Sequence, residues 1–278
     1  MPGRATGVRY LDRSTREVHE VRGKAVILCA QALESTRILL NSSNRHFPNG
    51  LAVPSGALGH YLMDHISGFG ANGLMSMLTS RPWIGPPRRP DVVYVPRFRN
   101  VRDRHRTARF EPGRFRVSEF KEAVKRGGWS IYLKAYGECL PRWENRVDLD
   151  LEVVDAWGIP ALRISASFDA NELKMGHDAA NAAAEMLEAA GAREIKLQTT
   201  PDIFGNSIHD VGTTRMGSDP KKSVVNQYCQ SYDIGNLFVM DGGCFVSSPC
   251  QNPTLTMMAI VCRSCAYLVD QLKKGEIY

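Results

Sequence analysis

The sequence predicts an α/β protein with an α+β middle portion, and three observations predict it. A continuous apolar run, Ala25–Ala30, passes directly into an amphipathic segment, Ala32–Asn41, the pattern of a strand-to-helix unit. From Gly128 onward, alternating segments separated by Pro and Gly turns imply a mixed or antiparallel sheet. Two long helical patterns, Asn171–Ala190 and Thr254–Leu272, supply layers to cover sheet faces. The 278 residues suffice for one large domain or two small ones.

In chain order, Val8–Leu11 and Glu17–Val21 alternate around the polar turn Asp12–Thr15 and read as a hairpin. In Ala32–Asn41, Leu33, Ile38, Leu39 and Leu40 are the side chains available for burial. Pro48–Gly59 is loop-like, and Leu62–His65 leads into a Gly- and Met-rich stretch ending near Met77. Trp129–Gly137, Arg146–Asp150 and Ala161–Ser167 are strand candidates. The alanine-rich helix Asn171–Ala190 has Asp169 or Asn171 to cap it and Gly191 to stop it. Ile195–Leu197 is a short strand, Leu237–Met240 another, and the last helix ends in Lys273 and Lys274, which suit its negative pole.

Composition narrows the function classes. With 43% hydrophobic and 23% charged residues the chain is an ordinary globular one rather than a disordered one. No uninterrupted apolar run has membrane-spanning length and no secretory signal opens the chain, so a cytoplasmic location without a transmembrane segment is expected. Seven cysteines include the C-x-x-C pair Cys262 and Cys265, without a second pair to complete a metal cage; buried thiols in a reducing compartment are expected, and no metal. The net charge of +6 is concentrated between Arg81 and Arg116, which hold eleven arginines and no lysine. Without an accompanying nucleic-acid module, this reads as a loop that pairs with carboxylates or another chain, and no nucleic acid is expected.

The candidate chemistry lies between Gly205 and Thr254. His209 opens H-D-V-G-T-T-R-M-G, and an imidazole can take a proton near neutrality; the alternative is a satisfied core histidine in a tight turn. Asn252 precedes Pro253, and its amide can both donate and accept. It can equally cap the last helix with Pro253 at the first helical position. Asp241 and Gly242 close the strand Leu237–Met240, where an α/β sheet meets its ligand, although turn formation alone also accounts for them.

H-D-V-G-T-T-R-M-G, D-G-G-C (Asp241–Cys244) and Q-N-P-T-L-T-M (Gln251–Met257) resemble, in order, the C-terminal signatures of the glucose–methanol–choline family of flavoprotein oxidoreductases. V-I-L-C-A-Q-A-L-E-S-T-R-I-L-L, Met63-Asp64-His65 and G-E-C-L-P-R-W-E-N-R-V resemble further landmarks, with a flavour of the bacterial sugar or polyol dehydrogenases and the pyranose-oxidase-like branch. The resemblance implies FAD as cofactor and an alcohol or sugar as substrate. His209 then takes the place of the base that removes the alcohol proton, and Asn252 the second active-site place. Asp241, Gly242, Asn252, Pro253 and Thr254 border the flavin's ring and ribityl portions, while Ala30 and Gln31 approach the adenosine-diphosphate end. Asp64 and His65 are structural neighbours. Residues 1–65 and 205–278 become flavin-domain pieces, and residues 66–204 a substrate domain with a six-stranded sheet.

A complete dinucleotide domain opens with G-x-G-x-x-G between its first strand and first helix, and no such unit is recognised here. The expectation is an incomplete FAD-binding fold of this family, lacking the N-terminal Rossmann βαβ unit. It would expose an apolar face and depend on a complementary N-terminal flavin-binding polypeptide and an electron acceptor. Gln31 also stands where the family has small residues. The leading expectation is oxidation of a CH–OH donor with hydride transfer to FAD; the alternative is a non-catalytic subunit that only associates with a partner chain.

Overall fold

The computed structural model describes residues 3–48, 50–51, 55–75, 109–112 and 129–277. Nearly all of the arginine-rich stretch from Arg81 to Arg116 lies outside the described residues. Strands β1 (Gly7–Leu11) and β2 (Val18–Arg22) form the expected hairpin, turned by the Asp12 carboxylate, which accepts the Ser14 and Thr15 amides, both at 2.8 Å. The apolar run contributes only β3 (Val26–Leu28), followed by α1 (Ala32–Asn41). The inner face of α1 is Ala32, Ser35, Thr36 and Leu39, whereas Ile38 is exposed. The two hydroxyls go inward because buried partners await them.

Two apolar cores form. The second in chain order is built on a four-stranded antiparallel sheet, β5-β6-β4-β9, of β4 (Ile66–Met75), β5 (Arg109–Pro112), β6 (Trp129–Gly137) and β9 (Arg193–Thr199). Helix α2 (Ala170–Ala189) packs on it through Ala179, Ala180, Ala183 and Leu187. Asp169 and Glu172 close its start as a capping box, and buried Glu172 also receives Arg142 at 2.9 Å. Gly176 lies against Phe69; a Cβ there would stand 2.5 Å from the Phe69 ring, so a mid-helix glycine buys the close approach. Between β6 and α2, β7 (Arg146–Val154) and β8 (Pro160–Ser165) make a hairpin. Arg37 of α1 ties to it, donating to Asp155 and to the Pro160 carbonyl, each at 2.8 Å.

Strand β4 was not recognised in the sequence, because Gly68, Gly70 and Gly73 interrupt its alternation. Those glycines have the G-x-G-x-x-G spacing of a phosphate loop, which the sequence reading also passed over. They lie inside an antiparallel strand with no helix opening on them, so the spacing carries no nucleotide site.

The first core gathers β3 and the distant β10 (Leu237–Val239), which pair in parallel, with Leu39, Met63, Val211, Phe238 and Met240. Beside it runs α3 (Thr254–Lys274), ended by Gly275 in the left-handed conformation. Only Ser264 and Leu268 of α3 are buried; Leu255 is 78% exposed and Met258 60% exposed. Cys262 and Cys265 therefore face outward, correcting the expectation of buried thiols, whereas Cys139, Cys229, Cys244 and Cys250 are buried. The periodicity that suggested burial is real, but nothing among the described residues covers that face. By length and composition alone α3 also matches a membrane span, with a mean hydropathy of 1.2 in its most apolar window. Strand β3 has a strand partner on one side only among the described residues, and Ile27 is 44% exposed. No group of three or more metal-ligating side chains occurs among the described residues.

Candidate active site

The two signature segments of the C-terminal third are joined backbone to backbone. The Gly212 amide donates to the Gly242 carbonyl, Thr214 to Gly243 and Met216 to Cys244, each at 3.0 Å. Because β3 and β10 are parallel, their carboxyl ends lie side by side, and Ser35 links them: its hydroxyl receives the Ala30 amide at 3.1 Å and donates to Asp241 at 2.5 Å. Asp241 is buried and also accepts the Gly243 amide at 2.8 Å. Burial holds its carboxyl above the usual range, with Ser35 and the Gly243 and Ala30 amides opposing that shift.

Gly242 and Gly243 are buried in a single 3-10 turn. A Cβ on Gly243 would stand 2.2 Å from Thr214 Oγ1, itself a buried hydroxyl without a hydrogen-bond partner. Gln31 is exposed, with φ 75° and ψ 155°, a backbone region that glycine alone adopts freely. Its side chain turns back to cap α1, Oε1 accepting the Leu33 amide at 2.8 Å. The bulky side chain at a small-residue position is thus folded onto the helix start.

His209 and Asn252, far apart in sequence, meet: Asn252 Nδ2 stands 3.3 Å from His209 Nε2. Pro253 occupies the capping position of α3 and the helix has no side-chain cap, so the capping role open to Asn252 is not adopted. The Asn252 amide nitrogen faces Nε2, which is the geometry for Nε2 to accept, and Nδ1 is buried with no hydrogen-bond partner among the described residues. Pro253 is buried, while Thr254 is exposed at the first turn of α3. The His65 ring stands edge-on to the His209 ring, centroids 4.8 Å apart. Asp210, next in sequence, has its carboxyl pushed up to about 6, first by burial and then by the Asp64 charge.

All eight residues singled out from the sequence lie at three adjoining places: the Ala30–Gln31 turn, the Asp241–Gly242 turn and the His209–Asn252 pair continuing into Pro253 and Thr254. Ser35, Thr214, Asp64 and Asp210 were not singled out as site residues. The resemblance places Asp64 as a structural neighbour, and Asp210 and Thr214 lie within H-D-V-G-T-T-R-M-G, while for Ser35 the available signal is a hydroxyl in the first turn of a helix that follows a strand. An open cleft of about 1310 Å³ lies elsewhere, between the first residues of the chain, α1 and β3, lined by Val8, Val26, Leu28, Phe47 and Leu237. It does not touch His209 or Asn252.

Comparison with known proteins places this geometry among relatives. The family described as GMC oxidoreductase matches residues 141–260. The chain is 28% identical to a 2-methyl-1,2-propanediol dehydrogenase of Mycolicibacterium austroafricanum, over 96% of this chain and 51% of the relative. It is 27% identical to a fructose dehydrogenase large subunit of Gluconobacter japonicus, over 98% of this chain and 52% of the relative. The chain spans about half the length of these curated relatives. Its fold matches that of a pyridoxine 4-oxidase from Mesorbium loti with a TM-score of 0.64 at 18% identity, over 98% of this chain and 55% of that one.

Proposed function

Because the chain belongs to the GMC oxidoreductase superfamily, related to bacterial sugar and polyol oxidoreductases of the pyranose oxidase branch, we propose that it carries the alcohol-oxidising part of a flavin-dependent oxidoreductase acting on the CH–OH group of a sugar, polyol or other alcohol. The 3.3 Å approach of Asn252 Nδ2 to His209 Nε2 supports this reading most directly. Removing a hydroxyl proton takes a base with a lone pair, and the developing alkoxide takes a donor beside it. His209 Nε2 is the base and the Asn252 amide the donor. Both are reachable from outside, Asn252 being exposed and His209 half-buried.

FAD, when bound, supplies the acceptor for the hydride, which no side chain provides. The residues present fit such a group. Gly242 and Gly243 keep their turn free of side chains, Ala30 and Gln31 are exposed beyond β3, and the first turn of α3 has no side-chain cap over its amides. Asp241, Gly242, Pro253 and Thr254 would border the ring and ribityl portions, and Ala30 and Gln31 the adenosine-diphosphate end. Asp241, committed to Ser35 and Gly243, acts by holding the turn. The two cores support a division into flavin-facing pieces, residues 1–65 and 205–278, around a substrate domain of residues 66–204.

A complementary polypeptide would add a parallel strand beside β3 and cover α3, and a cytochrome, quinone or dye would take the electrons onward. Mixing the chain with such a flavin-binding polypeptide and following dye reduction over a panel of alcohols tests the reading. Stoichiometric flavin with no alcohol-dependent reduction would reject it. The exposed α3 face equally favours a second reading, a subunit that only associates; stable association without turnover would select it.

A further inference from the structure

The base proposed above sits on a backbone that another residue holds. Two segments run antiparallel beneath the site: Met63 and Val211 exchange amide–carbonyl hydrogen bonds, both at 2.9 Å. One residue along, the Asp64 side chain crosses between them. Its Oδ2 accepts the Ser207 amide at 3.1 Å and its Oδ1 the His209 amide at 3.3 Å. Ser207 Oγ reaches the His65 carbonyl at 3.1 Å and Ser67 Oγ at 3.0 Å. The Asp64 carboxylate is fully buried.

The residue between the two captured amides is Ile208, at φ 57° and with 82% of its surface exposed. A β-branched residue in the left-handed region is strained, and such conformations persist only where the surroundings impose them. Its outward side chain gains nothing from packing, so hydrogen bonds hold the loop: the Ile208 amide donates to the Gly205 carbonyl at 3.2 Å, Ser207 Oγ bonds as above, and the Asp64 carboxylate takes the amides on both sides of Ile208. An aspartate that receives two backbone donors here turns an unfavourable loop into a fixed one. Burial raises the proton affinity of Asp64, while the His65, Ser207 and His209 amides lower it.

We propose that Asp64 is a positioning residue, whose carboxylate locks the backbone of residues 207–209 and so aims the imidazole of His209 at Asn252. This rests on the reading of His209 as the base, but its test needs no turnover. In the wild-type chain, hydrogen exchange at the Ser207 and His209 amides is slowed roughly 10- to 100-fold by the charged acceptor. In Asp64→Asn one amide loses its acceptor, and the His209 ring signal in histidine-resolved NMR moves, while those of His177 and His19 stay in place. In the flavin-loaded enzyme the same variant lowers kcat by about 100-fold with KM retained. Free exchange at both amides in the wild type overturns the proposal, and decides the matter even where Asp64→Asn does not fold. So does a folded Asp64→Asn chain with an unmoved His209 signal. A moved signal with unchanged turnover sustains the clamp and instead sinks the assignment of His209 as base.

Discussion

The Ser35 hydroxyl donates to the Asp241 carboxylate at 2.5 Å, in the interior, fastening the first turn of α1 to the end of β10. Replacing Ser35 by Ala leaves that carboxylate buried with one partner fewer. A loss of about 1.5–3 kcal/mol at neutral pH is expected. The Asp241 carboxyl is already held above its ordinary value by burial, against Ser35, and Ser35→Ala raises it further. The folded state of the variant then prefers the proton, so the loss shrinks as pH falls toward the range where the carboxyl protonates. Urea unfolding at pH 7 and pH 4 measures it; equal losses at both would show that the hydrogen bond acts without regard to charge.

Asp210 offers a second pH test with a defined window. Its carboxyl titrates near 6 in the folded chain against 3.8 ordinarily. Its contribution is complete below pH 3.8 and is lost as pH rises through 6. Asp210→Asn should therefore match the wild type near pH 4 and exceed it at pH 7, by on the order of 1 kcal/mol after solvent screening of a half-buried group. Paired thermal melts at the two pH values check this.

At Gln31 the backbone conformation belongs to glycine. Gln31→Gly should remove roughly 1–3 kcal/mol of strain. It forfeits the cap on Leu33, which glycine replaces at a loss of a few tenths of a kcal/mol. A net gain of about 1 kcal/mol, read as a higher urea midpoint with an unchanged slope, is the expected outcome.

For the pair itself, His209→Ala in the reconstituted enzyme should lower kcat by roughly 10²- to 10⁴-fold and flatten its pH profile. Asn252→Ala should cost about 10²- to 10³-fold as the loss of one donor to a developing oxyanion. Stopped-flow measurement of flavin reduction, which isolates the chemical step, distinguishes either effect from weakened substrate binding. Unchanged reduction in both variants would move the chemistry elsewhere.

What could be read from the sequence depended on the kind of contact involved. The strand-to-helix unit within Ala25–Asn41 was legible in its order though not in its buried face, of which only Leu39 had been expected, and the capped helix from Asp169 was legible because its box is local. The meeting of His209 and Asn252 was expected on residue type and resemblance. Asp64 was placed near the site by resemblance, but its role stayed unread because it works on backbone amides far along the chain, and side-chain-to-backbone contacts leave no periodic trace. The packing of α3 was misjudged for another reason. Its stripe of apolar residues states that a partner surface is wanted, but not which chain provides it.

Among the described residues β3 is paired on one side only and one flank of α3 is uncovered, and this has a cellular corollary. A ledge two strands wide, with hydrocarbon beside it, invites quality control or self-association until it is capped. Covering that ledge, by whatever surface, should accordingly lengthen the lifetime of these residues in a cell, and leaving it bare should shorten it.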